Sequence, residues 1–178
     1  MLPRFSLTVD SGEKLAVTGF NGVGKSTLLK TLMGEVPPLS GRYRFSDRAV
    51  VGYYEQELRW PDNGATPLGL MSEWFPHLSA SQIRKELASC GIREEHIRQP
   101  VITLSGGEQS KVKLCRLLLS PCNFLILDEP TNHLDVGAKD ALAAALSRFS
   151  GSVLLVSHEP LFYREWAHRV LPLKPIGG

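Results

Sequence analysis

Residues Gly19-Phe20-Asn21-Gly22-Val23-Gly24-Lys25-Ser26, followed by Thr27, fit the spacing G-x-x-x-x-G-K-[ST]. A loop of this composition turns backbone N–H groups inward around a phosphate chain, and a helix opening at its end adds partial positive charge. Lys25 can reach the β- and γ-phosphates of a nucleoside triphosphate, and the Ser26 hydroxyl is an oxygen donor suited to Mg2+. The bland alternative is a glycine turn beside a surface lysine. A strand over Lys14 to Thr18 and a helix over Ser26 to Met33 bracket the loop, and that context favours phosphate binding.

Further chemistry lies at the ends of other apolar runs. Asp128-Glu129 follows the run FLIL, and Ser157-His158 follows VLLV. Asp128 is placed to bind Mg2+ directly or through water, and Glu129 to orient or deprotonate an attacking water. Alternatively, the two adjacent carboxylates form a solvated turn. His158 reads as a polariser or sensor near the γ-phosphate, although a lone histidine is more often structural. Gln56 offers an amide oxygen to metal or water, but by itself it is indistinguishable from loop polarity. Ser105-Gly106-Gly107 opens a helix, where it can bind an anion or simply cap the helix.

These residues need elements to hold them. Arg4 to Val9 alternates apolar and polar residues and predicts a half-buried strand, with further strands at Arg42 to Phe45 and Val50 to Tyr54. Residues 66 to about 100 predict helix, with a capping box at Ser79 to Gln82, and another helix runs from the glycine turn to about Leu119. Strand, helix and strand follow at Phe124 to Leu127, Val136 to Phe149 and Ser152 to Ser157. The runs FLIL and VLLV read as parallel strands buried on both faces, so the three polar strand ends are expected to converge outside one edge of an α/β sheet.

Composition narrows the classes. The chain has 178 residues, 43% hydrophobic and 21% charged, with net charge +2. That fits one folded domain, and the near-neutral balance argues against nucleic-acid binding driven by charge. No apolar run approaches the ~18 residues of a membrane span, and no signal segment is visible, so a cytoplasmic location is expected. Cys90, Cys115 and Cys122 form no C-x-x-C pair and read as reduced thiols.

Taken in order, the motifs resemble those of an ATP-binding cassette (ABC) ATPase domain over nearly the whole chain. Walker A is GFNGVGKST, the Q-loop falls at YYEQ, the signature is LSGGEQ, Walker B with its glutamate is FLILDE, the D-loop lies in PTNHLD, and the switch histidine is in SHEP. The resemblance implies a P-loop NTPase fold with a mostly parallel sheet and an inserted helical subdomain. It also implies ATP and Mg2+ as cofactors, and a second cassette whose ATP is closed upon by Ser105, Gly106 and Gly107, with Asp135 helping to join the two. The run DEPTNHLD is similar to the ABC-F class, whose members carry two cassettes and act on ribosomes. The stretch from Cys115 through SHEPLFYRE is similar to a bacterial second cassette. A ribosome is therefore a candidate partner. A membrane-transporter ATPase subunit and a non-catalytic remnant are the alternatives.

The expected organisation is one nucleotide-binding domain over 1–178, with a helical subdomain at about 60–105 and the ATPase core at 1–59 and 106–178. Walker A begins early, so the N-terminal antiparallel β-subdomain with its adenine-stacking aromatic is expected to be truncated. Phe5 reads as core rather than as that platform. Lys111, Lys113 and Arg116 read as a solvated helix face, with contact to RNA phosphates as the alternative, and the scattered histidines and tryptophans read as packing or surface residues. Weakened nucleotide affinity with poor base discrimination is expected. Titration with ATP and GTP analogues checks it, and ATP binding as tight as in a cassette with its aromatic contradicts it.

Overall fold

The strand run Ser-Val-Leu-Leu-Val lies in the middle of a five-stranded sheet and is buried along its whole length. In the computed structural model, residues 5–20, 22–54, 60 and 64–173 are described. The elements, in chain order, are β1 (Lys14–Gly19), α1 (Lys25–Leu32), β2 (Val51–Tyr54), α2 (Pro67–Trp74), α3 (Ala80–Ser89), a single 3₁₀ turn (Val101–Thr103), α4 (Gly106–Leu119), β3 (Phe124–Asp128), α5 (Val136–Arg148), β4 (Ser152–Val156), α6 (Pro160–Tyr163) and β5 (Arg169–Leu173). The strand order is β2-β3-β4-β1-β5, with β1 parallel to both β4 and β5, and β3 parallel to β4. This is the parallel sheet with helices of a P-loop NTPase fold, as the sequence predicts.

The chain groups into two compact units, one of residues 1–53, 121–129 and 146–178, the other of 54–120 and 130–145. In the first, Leu15, Val17, Ile126, Leu154 and Val156 pack with Leu29 of α1 and Val23 of the preceding loop. These strands are apolar at consecutive positions because both of their faces are covered. Two buried polar side chains there find backbone acceptors: the Lys14 ammonium donates to Phe149 O at 3.0 Å, and the Ser152 hydroxyl donates to Asp10 O at 2.9 Å.

The second unit packs α2, α3 and α4 around Leu70, Met71, Ile83, Leu87, Ile97, Val101, Val112 and Cys115. Its helices start where side chains replace missing backbone partners. Thr66 caps α2 with Pro67 at its first position, and Ser79 and Gln82 form the predicted capping box on α3. Residues 90–100 form turns rather than continuing the helix. Cys90, Cys115 and Cys122 are free thiols, as expected.

Two predicted strands, Arg4 to Val9 and Arg42 to Phe45, do not form among the described residues. Residues 5–9 and 42–45 belong to no described ladder. Alternation supplies a two-faced segment, but a strand also needs unpaired backbone beside it, and β1, the next element in the chain, is already paired on both sides by β4 and β5. Phe5 is 43% exposed, so it is not core, and Phe45 is held instead by an edge-to-face ring contact with Phe124 at 5.6 Å. Conversely, the sequence reading names no strand at β5, which contains Pro172. As an edge strand it tolerates a residue without an N–H. The four-residue α6 was also missed.

Leu155 is fully buried in β4, and Leu155→Ala is expected to destabilise the protein by about 2–5 kcal/mol. Urea denaturation with an unchanged m-value checks it.

Candidate functional site

Register brings three strand ends together in the first unit. Asp128 pairs with Val156, and Val156 pairs with Val17, so β3, β4 and β1 finish side by side. The segments that leave them carry Glu129, Ser157-His158 and the Gly19 loop. In open parallel sheets, ligands sit at this edge.

The loop after β1 is shaped by backbone before it is shaped by side chains. Gly19 has φ +149°, and a Cβ there would lie 2.6 Å from Leu173 O, so only glycine fits between β5 and the turn. Val23 anchors the middle of the loop in the core. Gly24 is the N-cap of α1 with no side-chain cap, so the first-turn amides remain available to an anion. Lys25 is 7% exposed, and its ammonium donates to Gly19 O at 2.7 Å and Phe20 O at 3.3 Å. Among the described residues no carboxylate lies within ion-pair range of it. A buried ammonium held only by carbonyl dipoles, beside uncapped amides, fits a polyphosphate. Gly22, Ser26 and Thr27 are exposed around this cradle.

Asp128 ends β3 and is buried, whereas the Ser26 hydroxyl opens α1. Mg2+ prefers hard oxygen donors and usually keeps phosphate oxygens and water around only one or two protein ligands. This pair matches that chemistry. Among the described residues no group of three His, Cys, Asp or Glu side chains could enclose a metal.

Glu129 occupies the left-handed region at φ 47°, a conformation costing of order 1–3 kcal/mol in a residue with a side chain. Its amide is held by Val156 O at 3.0 Å, which turns the chain sharply off the end of β3. Its Oε2 lies 2.8 Å from His158 Nδ1, and the carboxylate is largely shielded while the imidazole is half exposed. With the proton on Nδ1, the histidine donates to the carboxylate and Nε2 is left for another partner. Adjacent parallel strands place the two residues within hydrogen-bond reach, a pairing that a sequence separation of 29 does not announce.

Ser105, Gly106, Gly107 and Asp135 lie in the second unit. Ser105 caps α4 in a full capping box: its Oγ accepts from Glu108 N at 3.3 Å, and Glu108 Oε2 accepts from Ser105 N at 3.0 Å and from the Ser105 hydroxyl at 2.9 Å. Burial opposes ionisation of Glu108, but the Ser105 hydrogen bonds with the charges of His96 and Lys111 hold its carboxyl below the ordinary value. A Cβ on Gly107 would collide with His133 O, and His133 itself has φ 67°. Asp135 Oδ1 accepts from Ala138 N at 2.8 Å and caps the start of α5, while Oδ2 lies 2.8 Å from Lys111 Nζ.

Of the predicted site residues, Asn21 and Gln56 lie outside the described residues. Lys111 is a correction: its side chain is only 12% exposed and ion-paired, not solvated. Arg116 stacks on the Trp74 ring at 4.2 Å. The fourfold spacing of Gly107 and Lys111 on one helix was the signal available, but nothing in the sequence says that residues 133–135 meet that face.

The ABC transporter family model matches residues 2–132. An uncharacterised ABC transporter ATP-binding protein, YfmM of Bacillus subtilis, is 47% identical over 162 residues, covering 91% of this chain and 31% of the relative. The probable ATP-binding protein YbiT of Escherichia coli is 39% identical over 177 residues, covering 98% and 33%. The mouse ATP-binding cassette sub-family F member 3 is 40% identical over 162 residues, covering 90% and 23%. The chain thus spans about a third or less of the length of these curated relatives. Among solved structures, the dimeric post-hydrolysis state of the cassette MJ0796 bound to ADP and Pi superposes with TM-score 0.79 at 23% identity, covering 97% of this chain and 86% of that one.

Gly19→Ala is expected to destabilise the fold by about 1–3 kcal/mol and to weaken binding of a non-hydrolysable ATP analogue, read by thermal melting with and without analogue. Asp135 sits below its ordinary carboxyl value, chiefly through the Lys111 hydrogen bond and then the Ala138 amide. Its contribution to stability is therefore fully present above the ordinary value of 3.8 and is lost as pH falls through the lower folded value. Acid denaturation checks the sign: the stability gap between the parent and Asp135→Asn closes below about pH 4.

Proposed function

We propose, from the premise that this chain belongs to the ABC transporter ATPase family, that it is an ATP-hydrolysing cassette of the ABC-F type, half of a two-cassette protein acting on ribosomes. It reads as one nucleotide-binding domain with the helical subdomain at about 60–105. The observation that carries the reading is the alignment of Asp128, Val156 and Val17, which sets the phosphate loop, the acidic pair and His158 at one sheet edge. The relatives named as sub-family F members support the class.

In this reading Gly19, Asn21, Gly22, Val23, Gly24, Lys25, Ser26 and Thr27 hold the triphosphate, the amides and Lys25 stabilising charge that grows on the transferring phosphoryl group. Ser26, Asp128 and Gln56 would hold Mg2+, which would neutralise phosphate charge. Glu129 takes the proton of the attacking water, and His158 orients its carboxylate. Ser105, Gly106, Gly107 and Asp135 serve the composite site with a second cassette, and nucleotide-dependent closure against that cassette performs the work.

Glu129→Gln, assayed with a second cassette supplied, is expected to lower kcat by about 10²–10⁴-fold while analogue affinity is retained. Turnover at the parent rate removes Glu129 from the role of base. Copurification from source cells separates partners: ribosomal fractions support the ABC-F reading, and membrane fractions favour a transporter subunit.

A further inference from the structure

The ion pair between Lys111 and Asp135 has no task in the proposed reaction. Lys111 lies one helical turn beyond Gly107, so the two share one face of α4. At the N-terminal end of that face, His133 O fills the space where any side chain on Gly107 would stand. At the other end, Lys111 Nζ donates to Asp135 Oδ2 at 2.8 Å and lies 3.5 Å from Gly91 O. The D-loop turn is therefore seated on the signature helix by two different contacts, one steric and one ionic. Between them opens a cavity of about 320 Å³, lined by Ser105, Glu108, His133 and Asp135 among others.

We propose that Lys111 is a positioning residue, tying the D-loop to the signature helix so that Ser105 and Asp135 face a second cassette as one surface. The proposal rests on the reading of this chain as an ATP-hydrolysing cassette. The Asp135 side chain is 65% exposed and borders open solvent. Lys111 holds one of its oxygens and thereby directs the other to the Ala138 amide, which starts α5. Without Lys111, the carboxylate loses the partner that fixes its orientation, its cap on the Ala138 amide loosens, and the backbone from His133, strained at φ 67°, loses one of its two fastenings. Glu108 on its own helix, the Gly91 carbonyl from the loop after α3 and Asp135 from the D-loop face Lys111, and Arg93 lines the same cavity and acts on Asp135.

Two measurements on the full chain decide it. Amide exchange at Ala138 and Lys139, whose N–H groups bond Asp135, is expected to rise about tenfold in Lys111→Ala, with Phe20 to Lys25 unchanged and Lys111→Arg close to the parent. Turnover with a second cassette is expected to fall about tenfold in kcat in Lys111→Ala with KM for ATP unchanged, and to recover in Lys111→Arg. Unchanged exchange at Ala138 overturns the brace. Raised exchange with unchanged kcat overturns the positioning role. Lost analogue binding in Lys111→Ala overturns it too, because that would mean a fault spread into the phosphate loop. A parent chain that never turns over, with any second cassette, overturns the proposed function instead, and the exchange measurement still judges the brace.

Discussion

Everything at the candidate site depends on the parallel register of β3, β4 and β1. Parallel pairing forces each connection to cross over the sheet, so successive strands point the same way and their carboxyl ends share an edge. Asp128, Val156 and Val17 stand in one row across these strands. Shifting any strand by two residues would carry its polar end about 7 Å along the sheet, beyond hydrogen-bond reach. The apolar residues of FLILD and SVLLV, packed on both faces, are what hold that register.

The edge then uses strained or buried groups that a simple turn would not keep. Glu129 is held left-handed by its own amide bond to the end of β4, and its carboxylate meets His158 from the neighbouring strand. Lys25 is buried with only carbonyls for partners. Neither arrangement adds stability in an obvious way, and both make sense beside a phosphate chain. The second unit shows the same habit: Ser105 and Glu108 satisfy each other at the start of α4, and His133 accepts a positive φ where its carbonyl meets Gly107.

Local rules were legible wherever a neighbour in sequence satisfies the need. The capping box at Ser79, the cap at Ser105 as one of two readings, the loop from Gly19 into α1, and the apolar runs of β3 and β4 all follow from spacing and side-chain chemistry. The reading went wrong where the need is met at a distance. Residues 5–9 alternate like a strand but join no described ladder, β1 beside them in sequence being paired on both sides, and β5 pairs despite Pro172 because it lies at the end of the sheet. Lys111 looked solvated because helix charge patterns do not reveal a loop seated over them 24 residues later.

Residue order alone was enough to specify a glycine-rich loop running from a strand into a helix, an acidic strand end, the cap of α4 and the α/β class, because each is written within a few consecutive residues. Folding in three dimensions settled the rest. It paired Glu129 with His158, left Lys25 buried among loop carbonyls, made glycine obligatory at 19 and 107, and joined Lys111 to Asp135. Those outcomes depend on which backbone passes within a few ångströms of which side chain. That proximity is set by strand register and helix packing, to which no local pattern has access.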